Sequence, residues 1–276
     1  MSSKLIVVTG SNKGLGRALV RKLVVESKGP LTIYMTSRDS SKGMSALQEI
    51  KSELPTGSKV DLEFYPLDIT DKQSIHSFTK HMEKMGTPCI DVMVHNAGVY
   101  FKGASDYAHA EKTIRCNYNS TIELNDAIMP LIKSNGRVLF VSSMLGNLSQ
   151  YPASIREEYL SETLTVDQLN QLQEKFLTSF KEGTLKEKGY PSDSYNVSKT
   201  GVTTYCRILA KMYKDDPRHI FFAALHPGWV KTDMGGSEAP LSLEEGIQTQ
   251  YYLVTEPLQN LKANGLYYSN KAVANP

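Results

Sequence analysis

The sequence has few of the residues on which disulfide-linked or metal-binding folds depend. Its 276 residues include three cysteines, Cys89, Cys116 and Cys206, an odd number at wide spacing. This pattern argues against a disulfide framework and against a zinc site built from paired cysteines. The histidines show no ligand-like spacing either. We therefore expect reduced thiols and no metal centre.

Long apolar runs and an excess of one charge are also missing. No apolar stretch approaches the ~20 residues that a membrane span needs, and the run at residues 5–8 is too short for a signal-peptide core. Lys and Arg number 31 against 29 Asp and Glu, for a formal net charge of +2. The basic residues are scattered, which does not indicate a nucleic-acid partner. We expect a soluble, cytoplasmic protein that binds neither membranes nor nucleic acid.

What the sequence does contain is an alternation of short apolar segments and amphipathic ones. The patterns predict strands at residues 4–9, 31–37, 60–66, 90–94, 136–141, 220–225 and 265–268, and helices at 17–27, 44–54, 75–85, 107–133, 195–213 and 241–254. This order is typical of an α/β fold with a doubly wound parallel sheet, the Rossmann fold, in three layers. Residues 144–194 break the alternation and form a helical insertion, with a helix at 166–180. Without a repeat or linker, we expect one domain over residues 1–276.

The loop after the first strand has the composition of a dinucleotide cradle. Gly10 allows a tight turn, Gly14 the close approach of a pyrophosphate, and Gly16 the close packing of helix on strand. The spacing is Gly-x-x-x-Gly-x-Gly rather than the commoner Gly-x-Gly-x-x-Gly, and a glycine triplet alone is also compatible with an ordinary turn. With a strand before it and a helix after it, the loop predicts cofactor binding by Gly10, Asn12, Lys13, Gly14, Leu15 and Gly16.

The end of the second strand bears on which dinucleotide binds. An acid here would hold the 2′-hydroxyl of NAD, but the strand ends in Ser37, Arg38 and Asp39. The Arg38 guanidinium can form a forked pair with a 2′-phosphate, and Lys13 adds a second positive charge, so we favour NADPH. Asp39 is the counter-evidence, because it can pair with Arg38 on the surface or face the ribose.

Two further strand ends carry polar groups where such a sheet binds ligand. Asp68, followed by Ile69, either binds the adenine edge or caps the next helix. Asn96, followed by Ala97 and Gly98, fits either a turn in contact with a nucleoside or a plain turn.

Tyr195 and Lys199 are spaced for joint chemistry. Residues four apart lie on one face of a helix, so the phenol and the ammonium can point into the same cleft. A nearby cation stabilises a phenolate and lets a tyrosine exchange a proton near neutral pH. Such a pair also occurs by chance in many helices, and its meaning depends on the other motifs.

Taken together, the motifs resemble the classical short-chain dehydrogenases/reductases. The resemblance is carried by the glycine loop, Asn96-Ala97-Gly98, Asn117, Ser143, Tyr195-x-x-x-Lys199 and Pro227-Gly228 followed by Thr232. The long segment before Tyr195 further resembles the monomeric NADPH-dependent carbonyl reductases.

The resemblance implies a role for each catalytic residue. Tyr195 would be the general acid that protonates a carbonyl oxygen as hydride arrives from the nicotinamide. Lys199 would hold the nicotinamide ribose and lower the pKa of Tyr195. Ser143, with Ser142 as the adjacent alternative, would donate a hydrogen bond to the substrate oxygen. Asn117 would interrupt its helix so that a water joins the proton relay.

The resemblance also implies a cofactor end and a substrate pocket. Pro227, Gly228, Val230 and Thr232 would lie at the nicotinamide, beside Tyr195 and Lys199. Ser143, Met144, Tyr151, Trp229 and Met234 would line the substrate pocket, although aromatic and methionine side chains are more often packing residues.

The function expected from the sequence is NADPH-dependent reduction of small-molecule ketones, aldehydes or quinones to alcohols. The alternatives are a dehydrogenase dedicated to one physiological alcohol and a cofactor-sensing regulatory protein without turnover. The insertion would cover the helices through which such proteins commonly pair, so we expect a monomer.

Overall fold

The computed structural model describes residues 3–103 and 106–276. Its centre is one sheet with the strand order β3-β2-β1-β4-β5-β6-β7-β8. Neighbouring strands are parallel except β7 and β8, which are antiparallel. The strands are β1 (Lys4–Val8), β2 (Leu31–Ser37), β3 (Val60–Pro66), β4 (Ile90–His95), β5 (Ile132–Val141), β6 (Phe221–Leu225), β7 (Leu266–Ser269) and β8 (Ala272–Ala274).

Helices cover both faces of this sheet. They are α1 (Gly14–Glu26), α2 (Ser40–Lys51), α3 (Lys72–Glu83), α4 (Tyr107–Ile114), α5 (Ser120–Ile128), α6 (Ala153–Leu160), α7 (Val166–Glu182), α8 (Ser194–Met212), α9 (Leu243–Gly246) and α10 (Gln248–Thr255). Strand residues alternate between two apolar layers: Leu5 and Val7 pack with α3 to α8, Ile6 and Val8 with α1, α2 and α10. The prediction of a three-layer, doubly wound α/β fold is confirmed.

The predicted helix over 107–133 is wrong in its continuity and its end. A π-helical turn, Arg115–Asn119, separates α4 from α5, because the Ser120 amide bonds back to the Arg115 carbonyl. Helix α5 ends at Ile128 and a short 3-10 turn, Met129–Leu131, follows, in which Pro130 has no amide to donate. Strand β5 therefore starts at Ile132 rather than at residue 136.

Smaller differences lie toward the C-terminal part of the chain. The predicted helix over 241–254 consists of two short helices, α9 and α10. Helix α6 and strand β8 were not predicted, since α6 has only two buried residues and β8 is three residues long and largely exposed. Among the described residues, none of the helices combines the length and the apolar character needed to cross a membrane.

The segment between β5 and α8 is helical, as predicted. Its main element is α7, which begins with a reciprocal capping box between Thr165 and Gln168. Helix α7 packs against α4 and α8. The Tyr118 phenol donates to the Asn170 side chain at 2.9 Å, which ties α7 to the π-helical turn.

Candidate active site

The helix α8 brings Tyr195 and Lys199 together beneath the carboxyl end of β5. Asp193 caps the helix by accepting from the Tyr195 amide at 2.8 Å. One turn on, the buried Lys199 ammonium donates to the Val141 carbonyl at 2.7 Å and lies 5.6 Å from the centroid of the Tyr195 ring. The two side chains share one face of the helix, as their spacing predicts.

The two serines that follow β5 have different environments. Ser142 is buried, and its hydroxyl bonds to the Lys199 carbonyl at 3.0 Å and to the Thr203 hydroxyl at 2.7 Å. Ser143 is partly exposed and its hydroxyl accepts from the Leu145 amide at 3.1 Å, which leaves its own proton free to donate. The Ser143 hydroxyl also lies close enough to the Tyr195 phenol to lower its pKa. Ser143, and not Ser142, therefore faces Tyr195.

The protonation states differ from the sequence-based expectation. Burial raises the pKa of Tyr195 to about 12, and the Ser143 hydroxyl lowers it only in part. Burial lowers the pKa of Lys199 to about 8. The expected lowering of the Tyr195 pKa by Lys199 is absent from this arrangement, because the ammonium bonds to the Val141 carbonyl and faces the ring rather than the phenol oxygen. Tyr195 is a protonated phenol at neutral pH.

Asn117 lies in the π-helical turn, so its helix is interrupted at this residue. Its side-chain oxygen accepts from the Val99 amide at 2.7 Å, and its amide donates to the Val99 carbonyl and to the Ser198 hydroxyl. Asn117 therefore joins the loop after β4 to α8. The participation of a water in a relay remains a prediction.

The three glycines of the loop after β1 differ in what surrounds them. A Cβ on Gly10 would lie 2.9 Å from the Ala97 backbone, and one on Gly16 would lie 2.8 Å from the Gly10 carbonyl oxygen. A Cβ on Gly14 would meet only a methyl of Thr232, at 3.8 Å. Gly10 and Gly16 thus allow close backbone packing, while Gly14 leaves open space between its loop and Thr232, where a ligand can approach.

The helix that follows this loop fits an anion at its start. The N-cap residue of α1 is Lys13, and no side chain caps the first amides. These amides and the positive end of the helix dipole face the open space beside Gly14, which is the arrangement that binds a phosphate. The residues present therefore fit a dinucleotide pyrophosphate; Asn12 lies in the loop and Leu15 in the first turn of α1.

The end of β2 carries the cation predicted to recognise a 2′-phosphate. Arg38 is exposed and forms no ion pair within the described residues. Asp39 neither pairs with Arg38 nor stays free for a ribose, because it caps α2 by accepting from the Lys42 amide at 3.0 Å. Lys13, on the neighbouring loop, forms an exposed ion pair with Asp233 at 2.7 Å. Of the two cations, Arg38 is therefore the one without an ion-pair partner among the described residues.

The loops after β3 and β4 use their polar side chains locally. Asp68 accepts from the amide and hydroxyl of Thr70, while the cap of α3 is Asp71. Asn96 donates to the carbonyls of Thr9 and Gly10 and thereby fastens the two loops together. Ile69 is buried, and Ala97 and Gly98 are partly buried beside the Asn96 turn. Contacts of these residues with a nucleoside remain predictions.

The loop after β6 closes the other side of the cleft. Gly228 adopts a left-handed backbone, with φ of 83°, directly after Pro227. Val230 is buried and bridges to Leu241, while the Thr232 hydroxyl accepts from the Gly235 amide at 2.9 Å. These contacts hold the loop so that Thr232 lies opposite Gly14.

The predicted substrate-pocket residues separate into two groups. Met144, Trp229 and Met234 are exposed, on the loops after β5 and β6. Tyr151 is buried, its phenol donates to the Thr200 hydroxyl at 3.2 Å, and its ring packs on Tyr159. The structure contradicts the placement of Tyr151 on the cleft, since it belongs to the core beneath α8.

Two tyrosines at the site were missed by the sequence reasoning. The Tyr100 ring lies 4.9 Å from the Tyr195 ring, and burial together with the nearby Asp193 carboxylate raises the pKa of its phenol. The Tyr267 phenol donates to the Ser143 carbonyl at 2.9 Å. Neither stands in a recognisable motif, so only the packing of β4, β7 and α8 places them here. Within residues 3–103 and 106–276, no cluster of three or more His, Cys, Asp or Glu is arranged to hold a metal ion.

Comparison with known proteins assigns this fold and site to a family. Residues 4–155 match the family model described as short chain dehydrogenase, and the chain belongs to that family of oxidoreductases. Carbonyl reductase (NADPH) 1 of Homo sapiens is 36% identical over 282 residues, which cover 99% of each chain. The protein of the same name from Macaca fascicularis is 36% identical over 277 residues, covering 98% of this chain and 97% of that one.

A solved structure gives the same result for the fold. Salutaridine reductase from Papaver somniferum superimposes with a TM-score of 0.84 at 24% identity and covers 96% of this chain and 99% of its own. At that level of identity the likeness establishes the shared fold.

Proposed function

We propose that this protein is an NADPH-dependent carbonyl reductase that converts ketones, aldehydes or quinones to alcohols, with Tyr195 as the proton donor. The observation that carries the proposal is that the Ser143 hydroxyl lies close enough to the Tyr195 phenol to lower its pKa, with Lys199 one helical turn away beside the Tyr195 ring. Two hydroxyl groups that converge in this way can both donate to one carbonyl oxygen.

The protonation of Tyr195 suits reduction. With a pKa of about 12 the phenol holds its proton at neutral pH, and an alkoxide is a stronger base than a phenolate. Proton transfer from Tyr195 to an oxygen that is becoming an alkoxide is therefore favourable. Ser143 donates a second hydrogen bond to the same oxygen and orients it toward the phenol.

Lys199 supports both partners of this reaction. Its ammonium lies beside the Tyr195 ring, and a Cβ on Gly98 would lie 3.5 Å from its Nζ, at the edge of the space between the loops after β1 and β4. From there Lys199 can bind ribose hydroxyls and deliver a proton toward Tyr195.

The cofactor assignment depends on charge. NADPH supplies the hydride when bound; the chain supplies the cradle at Gly14, the uncapped start of α1, and the cations Arg38 and Lys13. A 2′-phosphate next to an unpaired arginine favours NADPH over NADH. The names of the carbonyl reductase relatives, 36% identical over nearly the whole chain, support the same choice.

The substrate pocket would be apolar. Met144, Trp229 and Met234 expose large apolar side chains at the cleft, which indicates carbonyl compounds with a sizeable apolar part. We further propose that the chain is one domain and a monomer, since α7 covers the faces of α4 and α8 through which related chains pair.

A direct test compares two variants. NADPH and NADH oxidation is followed by absorbance with a panel of quinones, aromatic aldehydes, isatins and α-dicarbonyls. We expect Tyr195→Phe to abolish turnover while NADPH still binds, because only the proton donor is lost. Tyr190→Phe is the matched control, since this tyrosine lies in the same segment and packs on Phe176 away from the cleft.

The outcomes separate the alternatives. Equal activity of Tyr195→Phe and wild type would refute the assignment of the proton donor. Turnover of a single alcohol or ketone in the panel would favour a dedicated dehydrogenase. Tight NADPH binding without turnover of any carbonyl would favour a cofactor-sensing protein.

A further inference from the structure

Tyr267 reaches the active site from a strand that is not adjacent to the catalytic one. Strand β7 pairs with β6, which separates it from β5. The Tyr267 side chain extends past the end of β6, and its phenol donates to the Ser143 carbonyl at 2.9 Å. The residue is 6% exposed, so this hydrogen bond is shielded from water.

The ring and the proton of Tyr267 are both held in place. The His226 ring lies 5.5 Å from the Tyr267 ring at an interplanar angle of 33°, which fixes the tyrosine against the loop after β6. Burial, with a smaller effect from Tyr195, raises the pKa of Tyr267 above its usual value. The phenol is therefore a donor throughout the physiological pH range.

The turn that begins at Ser143 is held by side chains from several elements. Besides Tyr267, Thr200 on α8 donates to the Gly146 carbonyl at 3.0 Å, and Gln150 donates to the Leu145 carbonyl. A Cβ on Gly146 would lie 2.8 Å from the Lys199 carbonyl carbon, so the turn is pressed against the catalytic helix. Its position relative to Tyr195 therefore depends on these contacts.

We propose that Tyr267 is a positioning residue, whose hydrogen bond to the Ser143 carbonyl holds the Ser143 hydroxyl at the Tyr195 phenol. Rotation of the peptide after Ser143 would move that hydroxyl away from the reacting oxygen, and displacements on the order of 1 Å reduce rates strongly. The inference rests on the proposed function, because it assigns Ser143 a role in carbonyl reduction.

The matched control stands on the same strand. Tyr268 is also buried, and its phenol accepts from the Lys262 amide at 3.1 Å, but its ring lies in the apolar layer on the opposite face of the sheet. Tyr267→Phe and Tyr268→Phe each remove one buried phenol hydroxyl. A loss of stability alone would affect both variants in the same way.

The experiment measures kcat, carbonyl KM, NADPH affinity and the melting temperature of Tyr267→Phe, Tyr268→Phe, Ser143→Ala and the double variant Ser143→Ala/Tyr267→Phe. We expect Tyr267→Phe to lower kcat about tenfold, as the loss of an oriented hydrogen bond does, with NADPH affinity unchanged. Tyr268→Phe should keep the wild-type kcat. In the Ser143→Ala background, Tyr267→Phe should have no further effect on kcat, because the hydroxyl it positions is gone.

Three results would overturn the inference. The first is an unchanged kcat in Tyr267→Phe; the second is an equal loss in Tyr268→Phe; the third is the same fold-loss from Tyr267→Phe with and without Ser143. If Ser143→Ala itself retained full activity, the proposed role of Ser143 would fail and the inference with it. Loss in Ser143→Ala beside a neutral Tyr267→Phe would overturn the inference alone.

Discussion

The buried Lys199 lets us predict how catalysis and stability oppose each other in this protein. Among the described residues its ammonium has one hydrogen-bond partner, the Val141 carbonyl, and burial lowers its pKa to about 8 from an ordinary value of 10.5. The charge on Lys199 therefore destabilises the folded protein. Lys199→Met, which fills a similar volume without a charge, should abolish turnover and stabilise the fold near neutral pH.

The size of this stabilisation follows from the shift in the pKa of Lys199. A shift from 10.5 to about 8 corresponds to about 3 kcal/mol of destabilisation by the charged form. The lost hydrogen bond to the Val141 carbonyl offsets about 1 kcal/mol of this, which leaves the variant about 2 kcal/mol more stable near pH 7.

The sign of the difference in stability between Lys199→Met and wild type changes with pH. Between pH 8 and 10.5 the unfolded chain binds more protons at Lys199 than the folded chain does, so wild-type stability rises with pH over this window. Above it the neutral amine carries no penalty but still has its hydrogen bond. The advantage of the variant should shrink and then reverse, with the two stability curves crossing at about pH 9.8.

The assay is urea unfolding followed by circular dichroism at a series of pH values from neutral to alkaline. Lys211→Met, at the exposed end of the same helix, is the control and should change stability by no more than about 0.5 kcal/mol at any pH. A Lys199→Met variant that is less stable than wild type throughout the pH range would refute the reasoning. A difference in the free energy of unfolding between Lys199→Met and wild type that does not depend on pH would also refute it.

Three further outcomes are expected. Burial lowers the pKa of His95, which stacks on Phe140, to about 4. As the pH falls from 6.5 to about 4, His95 therefore binds a proton in the unfolded chain before it does in the folded one, and wild type should lose up to about 3 kcal/mol of its free energy of unfolding. Urea unfolding at a series of pH values should show that His95→Gln does not suffer this loss. In fluorescence titrations, Arg38→Ala should weaken NADPH binding about tenfold to a hundredfold and leave NADH binding unchanged. An equal loss of affinity for NADPH and NADH would exclude Arg38 as the ligand of the 2′-phosphate. In size-exclusion chromatography with light scattering the chain should elute as a monomer of 30.7 kDa, and twice that mass at micromolar protein would contradict the covering role of α7.

Much of the fold can be predicted from local patterns in the sequence. The strands over residues 31–37 and 60–66 coincide with their predicted ranges, since apolar runs between turn residues need no distant partner to be recognised. The error at 107–133 has a local cause as well: the π-helical turn Arg115–Asn119 contains neither Gly nor Pro, so no helix-breaking residue in the sequence marks it.

What the sequence by itself determined is the chemistry that depends on short spacing. The glycines of the first loop and the pair Tyr195 and Lys199 lie within one turn or one helix, and their geometry follows from the backbone periodicity. Arg38 belongs here too, because the end of a strand places it regardless of what packs elsewhere.

Only the tertiary structure decided which groups meet across long separations. It buried the Ser142 hydroxyl against α8 and left Ser143, which the family pattern already favoured, beside Tyr195. It also placed Tyr151 in the core and brought Tyr267 to the Ser143 carbonyl. It also set the protonation of Tyr195 and Lys199, which depends on burial. Burial and long-range contact are properties of the packed sheet and helices, and no local pattern of residues encodes them.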